Sequence, residues 1–159
     1  MIENIREDYW EVDLKDEDEG GVKKYYWGSK ESVWSYFTYH IGSYMRRWIL
    51  RTPWRTIRIH HILRSDYDRA LHDHPFGFWT ILLTGSYIEV LADGDDEKHV
   101  KRKRWTLRWV DAETPHRLIL DKPVWTLVIA QHKWREWGFY VGGNQPKNWI
   151  NHRDYNSHA

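Results

Sequence analysis

The residues best suited to chemistry lie in the segment LHDHPFGFWTILLTGS, in which one residue separates His72 from His74. Alternate side chains of a strand share a face and lie about 6.5 Å apart, so both imidazoles can converge on one ion while Asp73 points away. Imidazole nitrogens are ligands for zinc, iron, copper and nickel, and one ligand from another strand would complete a triad. The spacing therefore predicts a metal site.

His116 is the predicted third ligand. It opens the segment HRLIL, in which Leu118 and Leu120 share its face, so inward-pointing leucines would bring the imidazole inside as well. Pro115 fixes the entry of this strand. The alternative is that the three histidines are unrelated polar or packed residues, since the chain has 10 His.

The elements that must position these residues are mostly strands. Turn residues separate short apolar runs after Pro53, which is typical of an all-β sandwich or barrel. The predicted strands cover 55–64, 70–74, 78–84, 86–91, 105–110, 116–120, 124–131 and 137–141. Before Pro53, apolar residues three and four apart predict an amphipathic helix over 30–50, with Ser29 as its cap.

The length of 159 residues predicts a single domain, 1–159. It would consist of a peripheral acidic segment (1–28), the helix (30–50), a barrel (55–141) and a polar C-terminal tail (142–159), in which Trp149 and Tyr155 can act as anchors.

Composition narrows the classes of partner. The formal net charge is only +1, so no global field favours nucleic acid, and the basic run 98–104 after an acidic turn is interpreted as a solvated hairpin. Cysteine is absent, no apolar run is long enough for a membrane span, and the acidic N-terminus does not look like a secretory signal. We expect a cytoplasmic protein.

Two motifs in this order resemble the cupin superfamily. LHDHPFGFWTILLTG is similar to the first cupin motif, and DAETPHRLIL to the second, which delivers one histidine into the barrel. Residues 44–155 most resemble uncharacterised cupin-like proteins of bacteria and phages. The resemblance implies an RmlC-like jelly roll, a double-stranded β-helix that binds a divalent transition metal (Fe, Zn, Ni or Mn). It also implies pairing of two copies into a homodimer.

One metal ligand of the cupin pattern is missing from this sequence. Many metal-dependent cupins have a glutamate three or four residues after the second histidine, where this chain has Phe78 and Trp79. Either the site has three histidines, as in the cysteine-dioxygenase group, or Glu89 on the next strand supplies a carboxylate for ligation or catalysis. The alternative for Glu89 is a solvated edge residue. Trp79 is assigned to substrate binding.

The segment RTIRIHHILR can turn only one face inward. Apolar content favours the face of Ile57, Ile59, His61 and Leu63, whereas the other face holds Arg58 and His60. With that second face inside, Arg58 would bind an anionic substrate and His60 would carry protons near the metal. The alternative is that this face is the polar outer face of an edge strand. Arg69 either binds the substrate or pairs with Asp66 or Asp68 to hold its loop.

Three functions remain open at this point. The first is a metal-dependent cupin enzyme acting on a small, anionic substrate, with an Fe(II) dioxygenase-like reaction favoured over isomerisation or hydrolysis. The second is a non-catalytic cupin that binds a sugar or nucleotide between aromatic rings. The third is an interaction protein with a structural metal and a tryptophan-rich surface.

Overall fold

The computed structural model describes residues 23–27, 34–66, 70–142 and 148–155, which fold into strands. The strands are β1 (Lys23–Trp27), β2 (Trp34–Ile41), β3 (Met45–Arg51), β4 (Thr56–Ile62), β5 (Leu71–His72), β6 (Phe78–Leu82), β7 (Ser86–Asp93), β8 (Asp96–Lys103), β9 (Leu107–Val110), β10 (His116–Ile119), β11 (Val124–Ala130), β12 (Gly138–Tyr140) and β13 (Trp149–Asn151). Within these ranges, no helix has the length and apolar character needed to cross a membrane.

The strands of the described residues form two antiparallel sheets, which confirms the predicted all-β class. The larger sheet has the order β1-β2-β3-β4-β11-β6-β9, and the smaller sheet has the order β13-β12-β5-β10-β7-β8. From β4 to β7, and again from β9 to β12, successive strands alternate between the two sheets. Segments close in sequence therefore contribute to both inner faces.

The amphipathic helix predicted over residues 30–50 is wrong for the described part of that range. Residues 34–51 form the hairpin β2–β3, and Gly42 in its turn has a φ of 44°. The apolar spacing was ambiguous because residues four apart share a face in a strand as well as in a helix. Aromatic and β-branched side chains favour the strand, and a left-handed glycine favours the turn.

The strands predicted after Pro53 are confirmed, since β4 to β7 and β9 to β12 overlap the predicted ranges. The basic run 98–104 lies mainly on β8, which pairs with β7 as the expected hairpin. Strand β13 lies in the predicted polar tail, and the tail does contact the rest of the molecule. Trp149 Nε1 donates to Asp73 Oδ2 at 3.0 Å, and the Tyr155 ring stacks on Phe139 with centroids 4.0 Å apart. The acidic residues 16–19 lie outside the described residues.

The buried face of β4 is the opposite of the one that apolar content favoured. Ile57 and Ile59 are 37% and 39% exposed, whereas Thr56 and Ile62 are buried. Apolar content is misleading here because the outer face of the larger sheet is itself apolar, with Trp125 stacked on His61 at 4.2 Å between ring centroids. Nor is β4 an edge strand, since it pairs with both β3 and β11.

Among the residues that the structure describes, the apolar core between the sheets contains two clusters. The first is Met45, Ile62, Leu82, Tyr87 and Val124, and the second is Phe78, Val110, Val128 and Ala130. Along β11 the buried Thr126 lies between the two, and its direct neighbour on β4 is His60. A polar strip thus interrupts the core at mid-sheet.

A pair of alanine substitutions tests the strand assignment of β3. Ile49 is 1% exposed and faces the core, whereas the adjacent Leu50 lies on the other face and is only partly buried. We expect Ile49→Ala to lower the free energy of unfolding by about 2–5 kcal/mol and Leu50→Ala by about 1 kcal/mol. Urea denaturation measures both, and equal losses would contradict the assignment.

Candidate metal centre

The register of the smaller sheet brings the three predicted histidines together. His72 on β5 lies directly opposite His116 on β10, so the two side chains share a face. His74 follows two residues after His72, and its backbone N–H donates to the Ala112 carbonyl at 2.8 Å. One ring nitrogen from each histidine lies within 4.8 Å of the others, and His74 Nε2 is 2.7 Å from His116 Nε2. We call these residues the histidine cluster.

Burial keeps the histidine cluster neutral. It lowers the pKa of His72 and of His116 to about 4, and it lowers the pKa of His74 well below its usual value. Opposing effects from Asp66, whose negative charge favours the protonated rings of His72 and His116, are smaller. Neutral imidazoles offer nitrogen lone pairs, which is the state that a transition metal requires.

Glu89 lies behind His116 and does not complete the cluster. The carboxylate is 1% exposed, and its Oε1 is 2.7 Å from His116 Nδ1, the nitrogen that points away from His74. Its Oε2 accepts from Arg102 Nε at 2.8 Å and pairs with Arg108. Glu89 is therefore neither a solvated edge residue nor placed as a ligand. It holds a proton on His116 Nδ1, which leaves Nε2 for a metal.

Asp73 anchors the strand that carries two of the histidines. It is fully buried on the side away from the cluster, as the alternation predicted. Its carboxylate accepts from the Gly138 backbone N–H at 2.7 Å, from Arg135 Nη1 at 2.9 Å and from Trp149 Nε1 at 3.0 Å. These bonds fix β5 against β12 and β13, which fixes the positions of His72 and His74. No local pattern indicates this role, because the partners lie more than 60 residues away in the chain.

Aromatic rings form an apolar wall around the histidine cluster. Phe78 packs edge-on against His74 with centroids 4.9 Å apart, and Phe139, directly opposite His72, lies 5.8 Å from it. The ring centroid of Trp137 lies 6.2 Å from that of His72. These rings cover part of the imidazoles, of which His72 and His74 are half-buried and His116 is buried, and they account for part of the high aromatic content.

The other residues assigned to the site are divided between two faces. Arg58 and His60 lie on the inner face of β4, as the anionic-substrate interpretation requires. Trp79 lies on the outer face of β6, where it is 47% exposed and lines a shallow pocket with Trp109. It is therefore on the opposite side of the larger sheet from Arg58 and His60. Arg69 lies outside the described residues. Arg47, which the sequence analysis did not single out, faces inward beside His60.

Comparison with known proteins gives similarity in structure only. No protein-family model and no curated protein matches the chain. The hydroxypropylphosphonic acid epoxidase from S. wedmorenis in complex with fosfomycin is similar at 18% identity and a TM-score of 0.46, over 55% of this chain and 51% of that chain. An RmlC-like cupin from Shewanella frigidimarina is similar at 9% identity and a TM-score of 0.48, over 59% of this chain and 81% of that one.

The chain thus spans about half the length of the epoxidase. The three histidines that the motifs singled out do lie together in the structure.

Replacing Glu89 by glutamine tests its role behind His116. We expect Glu89→Gln to weaken Zn²⁺ binding about 10–100-fold, because the ring loses the carboxylate that orients it and raises its basicity. Competition with a chelator measures the affinity, with circular dichroism as a check on folding. Glu97→Gln is the matched control, since Glu97 pairs with Arg117 at 2.7 Å on the exposed strand β8. Equal affinities in the two variants would exclude the role.

The pKa values predict that the metal-free protein is sensitive to acid. The pKa of His72 is about 4 in the folded chain against an ordinary 6.5, so between these values the unfolded chain binds more protons. Stability is therefore complete above pH 6.5 and falls as the pH approaches 4, by about 2 kcal/mol per histidine between pH 7 and 5. Urea midpoints at pH 7 and 5 measure this loss. His72→Gln should show a smaller one, and an unchanged pH slope in that variant would contradict the assignment.

Proposed function

We propose that this chain is a mononuclear metal-dependent enzyme with a jelly-roll fold of the cupin type. The observation that carries the proposal is the cluster of three neutral imidazoles, whose nitrogens lie within 4.8 Å of one another beside a buried glutamate. Three imidazoles concentrated in an apolar surrounding bury polar nitrogens at a cost, and a shared cation offsets that cost.

The donor set fits a divalent transition metal. His72, His74 and His116 would hold iron, zinc, nickel or manganese through their ring nitrogens. A metal with three protein ligands keeps coordination positions open and supplies Lewis acidity or, as iron, oxygen chemistry. The same donors do not select among these metals.

The remaining residues have separate tasks in this proposal. Glu89 is a positioning residue, because both its oxygens are engaged by His116 and by arginines. His60 is the proposed proton carrier: it lies on the inner face of β4, and burial lowers its pKa well below the usual value, so it is a neutral base. The aromatic wall shields part of the centre from water. The reaction we propose is that of an oxygenase acting on a small substrate, with isomerisation or hydrolysis as the alternatives.

Metal analysis is the first test of this proposal. The purified protein should contain about one equivalent of transition metal by mass spectrometry, and His72→Ala or His116→Ala should remove it. His99→Ala is the control, because the His99 side chain is 52% exposed on β8. Metal retained in both cluster variants would overturn the proposed centre.

Oxygen uptake then separates the enzyme from the two non-catalytic functions. Protein reconstituted with Fe(II) should consume oxygen when a small thiol or a small organic acid is added, and the His72→Ala variant should not. A metal that raises the melting temperature without oxygen uptake or any other turnover of these compounds would instead support a structural metal.

A further inference from the structure

The inner face of the larger sheet carries positive and polar side chains where a core would ordinarily be apolar. Arg47 on β3 lies directly opposite His60 on β4, and Arg58 precedes His60 by two residues on the same face. Thr56 and Ile62, which share this face, are 4% and 3% exposed. The face therefore points between the sheets.

This face lies across from the histidine cluster. All three histidines belong to the smaller sheet or follow directly from it, and the His74 ring packs against Phe78 of the larger sheet with centroids 4.9 Å apart. The guanidinium carbon of Arg58 lies 4.4 Å from the centre of the Phe76 ring, which in turn contacts Phe78 beside His74. The Arg58 guanidinium is thus connected to the cluster through two packed rings, and Arg47 is the direct cross-strand neighbour of His60 on the same face.

His60 supplies an independent sign of a ligand. Its Nε2 is buried and has no hydrogen-bond partner among the described residues. A buried polar atom left in this state costs stability, and such an atom on a face shared with Arg47 and Arg58 suits the oxygen of a bound anion. A metal at the histidine cluster would add further positive charge on the other side of the same space.

We propose that Arg47, Arg58 and His60 form an oxyanion subsite, which binds the carboxylate, phosphate or phosphonate group of the substrate. Guanidinium groups bind these anions through paired, charge-assisted hydrogen bonds, and His60 adds one neutral bond. The other end of the same small molecule would reach the histidine cluster. This inference rests on the proposed function, to which it adds the substrate class.

Calorimetric titration of the metal-free and the Zn²⁺-loaded protein tests the subsite. The probes are inorganic phosphate, methylphosphonate and acetate, each at constant ionic strength in sodium chloride so that general attraction of anions is screened. At least one probe should bind both forms of the wild type. Arg47→Gln and Arg58→Gln should each weaken that binding about tenfold or more, the loss expected for one charge-assisted hydrogen bond.

Arg46→Gln is the matched control, because Arg46 is exposed and lies on the outer face of β3 next to Arg47. Arg58→Lys keeps the positive charge but loses the paired donors of the guanidinium group, so it should weaken binding less than Arg58→Gln. If the glutamine variant fails to fold, Arg58→Lys replaces it in the test. Binding that is absent from the wild type, or weakened equally by Arg46→Gln, would overturn the subsite.

Metal content separates this inference from the proposed function. Arg47→Gln and Arg58→Gln should keep the metal content of the wild type while they lose the anion. A protein that binds the anion without binding metal would contradict the proposed function alone, and a protein that binds metal but no anion would contradict the subsite alone.

Discussion

The site depends on the pairing of β5 with β10, which places His72 directly opposite His116. Strand β5 has only two residues, so its own ladder can hold this register only weakly. The fully buried Asp73 compensates, since it accepts hydrogen bonds from β12, β13 and Arg135 on the side away from the cluster. A shift of one residue would turn the histidines to the other face, and the Asp73 bonds resist that shift.

Polar groups on the smaller sheet are buried in matched sets. Glu89 sits among His116, Arg102 and Arg108, and Asp73 pairs with Arg135, so each buried carboxylate has a cationic partner. Breaking such a set leaves an uncompensated buried charge, which costs about 3–5 kcal/mol. The carboxylates that orient the histidine cluster are therefore also groups whose loss would strongly destabilise the fold. The geometry of the cluster and the stability of the smaller sheet depend on the same side chains.

The sequence was informative wherever a local pattern had one physical reading. One intervening residue between His72 and His74 and the turn before His116 predicted the cluster, because strand alternation requires that geometry. The predicted helix over 30–50 was wrong because side chains four residues apart share a face in a helix and in a strand alike. The predicted inner face of β4 was wrong because the burial of a face depends on what packs against it, which the composition of one strand does not show. Asp73 was missed as an anchor because its partners are distant in the chain.

The two faces of β4 show that the larger sheet has a partly apolar outer face and a partly polar inner face. Its outer face keeps Ile57, Ile59 and Trp79 at 37%, 39% and 47% exposure, while its inner face carries Arg58 and His60. An apolar inner face would bury more area and stabilise the chain further, at about 25 cal/mol per Å². Among the described residues, the inner face departs from that arrangement at several polar positions, and Arg58 and His60 are the ones on β4 with ionisable side chains. Such a local departure from core packing is typical of a functional site.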